Sequence, residues 1–104
     1  IFENMIVMEA IKHRYNMGLE GGVFFYRDSN QNEVDLLIKQ EGELTAIEVK
    51  SSMTYSSSFE KALTQIEGWI KTPISKKAIV YSGDFENTSG NINLINYRHI
   101  ASIL

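Results

Sequence analysis

Hydrophobic residues recur at helical spacing in two segments of the chain, residues 1–17 and residues 58–71. The first segment contains no glycine or proline before Gly18, and the second is preceded by a serine N-cap and followed by Pro73. Apolar side chains three or four positions apart lie on one face of a helix, so both segments are predicted to be amphipathic α-helices. Their apolar positions are Phe2, Met5, Ile6, Met8, Ala10, Ile11 and Tyr15, then Phe59, Leu63, Ile66 and Ile70.

Shorter apolar runs predict five β-strands. The first is rich in aromatic and β-branched residues, which favour strands. The second and third are almost continuously apolar and are joined by a turn at residues 40–42, which is typical of a hairpin covered on both faces. The predicted strands span Val23–Arg27 and residues 33–39, 43–51, 77–82 and 91–97.

The predicted order of elements is α-β-β-β-α-β-β, with a polar loop at residues 83–90 and a last helical turn or two at residues 99–104. A helix between the third and fourth strands permits a parallel crossover, whereas the hairpin adds antiparallel pairing. The sequence therefore predicts an α/β fold with a mixed central sheet and helices on both faces. At 104 residues, the chain is expected to form one domain, residues 1–104.

Three charged residues interrupt the apolar hairpin: Asp35 in its first strand, and Glu48 and Lys50 in its second. Burying a charge is unfavourable by several kcal/mol unless a partner compensates it. Glu48 and Lys50 are two residues apart and share a face of their strand. Asp35 and Glu48 lie on adjacent strands, and two carboxylates so close would repel each other. A divalent cation held by the two carboxylates and the Val49 carbonyl would relieve this repulsion and suit phosphodiester chemistry.

The amino-acid composition limits which metal ion and which partners can be expected. The chain has no cysteine and only His13 and His99, so hard oxygen ligands and therefore Mg²⁺ or Mn²⁺ are expected. No apolar run is long enough to span a bilayer, no signal peptide is apparent, and a cytoplasmic location is expected. A net charge of −3 predicts weak DNA binding by this domain alone.

The arrangement of Asp35, twelve intervening residues and then Glu48-Val49-Lys50 resembles the active-site signature of the PD-(D/E)XK nuclease superfamily, which has the restriction-endonuclease-like fold. The stretches Phe2-Glu3-Asn4 and Tyr26-Arg27-Asp28 are similar to elements of archaeal Holliday-junction resolvases. The segments IFENMIVMEA, VFFYRDSNQNEVDLLI and AIEVKSS resemble the C-terminal domain of unknown function that follows the ATPase module in many prokaryotic AAA+ proteins. The likeness covers nearly the whole chain.

The resemblance implies metal ligation by Asp35, Glu48 and the Val49 carbonyl, with a catalytic or phosphate-stabilising role for Lys50. It implies that Glu3 is an outer or second metal acid, although the helical wheel places Glu9 rather than Glu3 beside the apolar face. It also implies a role for Gln65 beside the lysine. The proline that often precedes the motif aspartate is replaced by Val34.

Two functions follow as hypotheses. The first is a Mg²⁺-dependent nuclease domain that acts on DNA and is attached to an upstream AAA+ ATPase module. These residues contain no G-x-x-x-x-G-K-[ST] motif, so nucleotide binding would have to lie outside them. The second is a noncatalytic module with the same fold that docks DNA or assembles the ATPase. A hydrolase of RNA or of small molecules on the same scaffold stays open, as does the oligomeric state, a homodimer included.

Plainer interpretations accompany these hypotheses. Glu48 and Lys50 can form a structural ion pair, and Arg27 can pair with Asp28 or another nearby acid instead of contacting phosphate. The aromatic residues Phe24, Tyr26 and Trp69 are predicted to belong to the core.

Overall fold

A computed structural model describes residues 1–19 and 21–104 of the chain. Its elements run in the predicted order, with one additional short strand. The helices are α1 (Phe2–Asn16) and α2 (Lys61–Gln65), and the strands are β1 (Val23–Arg27), β2 (Glu33–Gln40), β3 (Glu43–Lys50), β4 (Ile74–Tyr81), β5 (Asn87–Ser89) and β6 (Ile92–Asn96). Short 3₁₀ segments flank α2 at Ser57–Glu60 and Ile66–Gly68, and a longer one, Tyr97–Ile103, ends the chain.

The six strands form one mixed sheet in the order β1-β2-β3-β4-β6-β5. Strands β1, β2 and β3 are an antiparallel meander, whereas β4 runs parallel to β3 and also to β6. The crossover from β3 to β4 carries α2, as a parallel connection requires. The mixed α/β architecture predicted from the sequence is therefore confirmed.

Apolar side chains cover both faces of the sheet. One layer lies under α1 and the C-terminal 3₁₀ segment, where Ile6 and Ala10 pack on Ile47. The other lies under the crossover, where Leu63 and Ile66 pack on Ile79. The near-continuous apolar pattern of β2 and β3 reflects this double coverage.

The turn of the β2–β3 hairpin consists of Glu41 and Gly42, because Gln40 and Glu43 already pair across the ladder. Both turn residues have positive φ, 52° and 81°. This is the geometry of a type I′ turn, whose twist matches that of the flanking strands. It fixes the register of the hairpin and hence which side chains lie at its far end.

Several sequence-based assignments need correction. The polar loop predicted at residues 83–90 contains β5, whose three exposed residues pair antiparallel with β6. The helix predicted at residues 58–71 has only one α-helical turn and ends in a 3₁₀ turn at Gly68. Phe24, predicted to be in the core, is half exposed.

No helix in the described part of the chain is both long and apolar enough to cross a bilayer.

Candidate functional site

The hairpin ladder stops one step before Asp35 and Glu48. Its last regular pair is Leu36 with Ile47, and beyond this point side-chain carboxylates replace backbone carbonyls as hydrogen-bond acceptors. The N–H of Val49 donates to Asp35 Oδ2 over 2.8 Å, and the N–H of Asp35 donates to Glu48 Oε1 over 3.3 Å. The structure thus brings the two predicted acids together at the open end of the hairpin.

A β-bulge in β2 sets the position of Asp35. Phe24 pairs with Leu37 and Tyr26 pairs with Val34, so two steps along β1 correspond to three steps along β2. Val34 packs in the layer under α2, whereas Leu36, two residues later, packs in the layer under α1. In a regular strand these two side chains would share a face. The extra residue of the bulge therefore re-aims the strand at Asp35, a device that recurs beside functional sites.

Glu3 approaches Asp35 from the first turn of α1. Burial raises the pKa of Asp35, and the negative charge of Glu3 raises it further, while the Val49 N–H and the Lys50 ammonium oppose the increase. Glu9 lies on the exposed side of α1, because the buried face of this helix consists of Ile6, Ala10 and Arg14. The helical-wheel interpretation that favoured Glu9 is therefore wrong about which face is buried.

Glu48 is almost fully buried and has an unusual protonation equilibrium. Burial, followed by the charge of Asp35, raises the pKa of Glu48 from its ordinary value of 4.5 to about 7. Lys50 lies near it, with Nζ 3.7 Å from Glu48 Oε2 and 5.5 Å from the centre of the Phe59 ring. One partly exposed ammonium does not neutralise two carboxylates in this environment.

Gln65 and Lys50 line the same surface groove, which has a volume of about 280 Å³ and lies between the crossover and the loop before β2. The sequence did not single out Gln31 and Lys61, which also line it. Gln31 lies in the polar turn before β2, and Lys61 is the first residue of α2. Their position at the groove depends on how the crossover packs, so no local pattern identified them.

A second groove of about 390 Å³ lies on the other side of Asp35. Glu3, Phe25 and Arg27 are among its lining residues. Arg27 Nε pairs with Glu33 Oε1 at 3.0 Å, so the nearby-acid alternative is confirmed, although Asp28 is not the partner. The aromatic pattern of the sequence predicts only that Phe25 lies in a strand.

Tyr26 and Trp69 pack against the layer under α2, as predicted. Their rings stack with centroids 5.8 Å apart and an angle of 8° between the planes. The Tyr26 hydroxyl donates to Asp28 Oδ2, and Asp28 also accepts from the backbone of Asn30 and Asn32. The loop before β2 is therefore hydrogen-bonded to Tyr26, whose ring stacks on Trp69 just after the last 3₁₀ turn of the crossover.

The donor set suits a hard divalent cation. Asp35 and Glu48 offer carboxylate oxygens, and both backbone groups of a strand residue point toward the same neighbouring strand, which directs the Val49 carbonyl to the Asp35 side. Among the described residues, no three or more His, Cys, Asp or Glu side chains are grouped so that they could hold an ion. Mg²⁺ commonly binds through one or two carboxylates and completes its shell with water and phosphate oxygens.

Comparison with known proteins places the chain in a family. No curated protein matches the sequence significantly. The model of a domain of unknown function, DUF4143, matches residues 1–100, which is nearly the entire chain. This match shows that the chain belongs to the DUF4143 family of domains of unknown function.

Proposed function

We propose that this domain is a metal-dependent nuclease of the PD-(D/E)XK type, with the restriction-endonuclease-like fold, acting on DNA phosphodiester bonds and appended to an upstream AAA+ ATPase module. The observation that carries the proposal is the meeting of Asp35, Glu48 and Lys50 at one end of a bulged hairpin. The meander, the helical crossover and the parallel strand β4 support the proposal, because together they form a mixed sheet flanked by helices, the architecture that the resemblance implies.

The charge balance of the site supports this proposal. Two adjacent acids have raised pKa values, and Lys50 is the one ammonium that pairs with either of them among the described residues. Such an arrangement is unfavourable for folding and is typical of sites whose charge is completed by a ligand. A divalent cation is the ligand that two carboxylates and a carbonyl would hold.

Each residue then has a role in the proposed reaction. Asp35, Glu48 and the Val49 carbonyl would hold Mg²⁺ or Mn²⁺, which supplies Lewis-acid stabilisation of charge at phosphate. Lys50 places its ammonium beside Glu48, where it can stabilise negative charge developing on the phosphate oxygens. Glu3 would hold a proton or a water molecule near Asp35, and Gln65 would orient the substrate along the groove it shares with Lys50.

Cleavage of labelled DNA tests the proposal. With Mg²⁺ or Mn²⁺ the domain is expected to nick or cleave duplex, branched or single-stranded DNA, and a chelator should stop it. Lys50→Ala should reduce the rate by about 100-fold or more, as removal of one charge-stabilising donor does. Lys39→Ala is the matched control, because Lys39 is an exposed lysine near the opposite end of the same hairpin. Cleavage that persists in both Lys50→Ala and Asp35→Ala would contradict the assignment.

A second candidate is a noncatalytic module of the same fold that docks DNA or assembles the ATPase. The hydrogen bonds of the two carboxylates favour it, because Asp35 and Glu48 accept from backbone N–H groups and so already complete the end of the ladder. Thermal unfolding in rising Mg²⁺ or Mn²⁺ separates the candidates. A metal site stabilises the fold by about 2.7 kcal/mol at 100 times its Kd. A melting temperature that neither ion raises would favour the noncatalytic module.

A further inference from the structure

Phe25 is an exposed aromatic side chain that the fold does not use. It is 71% exposed and belongs to neither core layer of the described residues. It lies in β1, opposite the bulge that carries Asp35, since its neighbours Phe24 and Tyr26 pair with Leu37 and Val34. Single exposed apolar side chains are common on protein surfaces, so the informative feature of Phe25 is its position in a groove that it shares with Asp35.

The groove next to Phe25 reaches one of the proposed metal ligands, Asp35. Phe25, Glu3 and Asp35 line the same space of about 390 Å³. The ring therefore shares a groove with Asp35, whereas Glu48, Lys50 and Gln65 line the groove on the other side of this residue. A strand that crosses the end of the hairpin at Asp35 would bring the base of a neighbouring nucleotide to the Phe25 ring.

Charge in this groove does not favour a duplex. Among the described residues that line it, the one arginine, Arg27, is paired with Glu33, and Glu3 and Asp35 add negative charge. Duplex binding depends on clustered Lys and Arg along two phosphate backbones. Stacking of an unpaired base on an aromatic ring adds about 1–3 kcal/mol per base, a contribution that a base inside a duplex cannot make.

We propose that Phe25 stacks on an unpaired base next to the scissile phosphate, so that the substrate class is a nucleic-acid strand with unpaired nucleotides at the site, such as a single strand or a flap. This inference rests on the proposed nuclease function and deepens it. A base inside a duplex is already stacked on both of its faces and cannot reach the ring without leaving the helix. Unpaired bases stack on aromatic side chains irrespective of sequence.

Binding of fluorescent oligonucleotides to Phe25 variants tests the proposal. In a Lys50→Ala background, in which cleavage is expected to be slow, Phe25→Ala is expected to weaken single-strand binding on the order of 10- to 100-fold. Phe25→Tyr keeps the stacking face and should restore the affinity. Phe24→Ala is the matched control, because Phe24 is also exposed, at 51%, but adjacent strand residues point to opposite faces of the sheet.

Three probes of the same sequence define the outcome: single-stranded DNA, duplex DNA and single-stranded RNA. Selective loss of single-strand affinity in Phe25→Ala supports the proposal, and Phe25-dependent RNA binding supports it with RNA as the strand. Equal affinities of the Phe25→Ala and Phe24→Ala proteins, or an equal loss on duplex and single strand, would overturn it. Cleavage by the protein with Lys50 intact is measured separately, so Lys50-dependent cleavage that ignores Phe25 would refute this inference and leave the nuclease function standing.

Discussion

Replacement of Glu48 by glutamine should stabilise the metal-free domain at neutral and alkaline pH. Glutamine has nearly the same shape and keeps a carbonyl oxygen that can accept from the Asp35 N–H, as Glu48 Oε1 does. It removes the charge that burial and Asp35 make unfavourable. The same change removes a proposed metal ligand, so stability and activity should move in opposite directions.

The magnitude follows from the pKa. An increase from 4.5 to about 7 corresponds to roughly 3 kcal/mol of lost stability once the carboxyl is ionised. Between these two values the folded state binds more protons than the unfolded state, so stability falls as pH rises and then levels off above about 7. The attraction of the partly exposed Lys50 is already contained in this pKa, so its loss takes nothing further from the gain. Glu48→Gln should therefore gain roughly 3 kcal/mol at pH 8.

Urea unfolding at pH 5, 6, 7 and 8 in the presence of a chelator measures this effect, with roughly 3 kcal/mol expected at the highest pH. The parent protein should lose stability steadily from pH 5 to 7, and Glu48→Gln should show a much flatter profile. Adding Mg²⁺ at pH 8 should stabilise the parent and leave the variant nearly unchanged. A variant less stable than its parent at pH 8, or a parent whose stability does not fall over this range, would refute the reasoning.

Two further predictions concern backbone geometry. Gly22 has φ +75°, and an added Cβ would lie 2.7 Å from Arg14 Nη2, so Gly22→Ala should cost about 2 kcal/mol in a urea titration. Gly21→Ala is its control, because Gly21 has a similar φ with open space among the described atoms, and a cost near that of the Gly22 variant would argue against the steric part. Glu41→Asn places a residue that tolerates positive φ in the type I′ turn and should raise the melting temperature by a few degrees, roughly 0.5 kcal/mol. An unchanged or lower melting temperature would mean that the side chain of Glu41 compensates its backbone strain.

The hairpin and its polar residues could be predicted from sequence because both depend on local patterns. Near-continuous apolar runs mark strands covered on both faces, and charges within them stand out. The bulge at Asp35 could not be predicted, because an extra residue in an apolar strand leaves no periodic signature. It is visible only from the pairing of β1 with β2.

Other differences arise from tertiary context. The buried face of α1 includes Arg14, whose Nε donates to the Gly21 carbonyl, while Met5 stays partly exposed. Hydrophobicity alone predicts the opposite, with Met5 buried and Arg14 exposed. Strand β5 consists of three exposed polar residues and exists because β6 offers a free edge for pairing. Neither outcome follows from propensity.

The two-residue turn of the β2–β3 hairpin also bears on how the site assembles during folding. Asp35 and Val49 are only 14 positions apart, so their hydrogen bond closes a short loop around Glu41 and Gly42. The parallel pairing of β3 with β4 requires closure of the whole crossover, and the entropy cost of closing this longer loop makes the pairing slower. We therefore expect Asp35 and Glu48 to meet early, in the hairpin, and Gln65 to reach them only when the crossover docks.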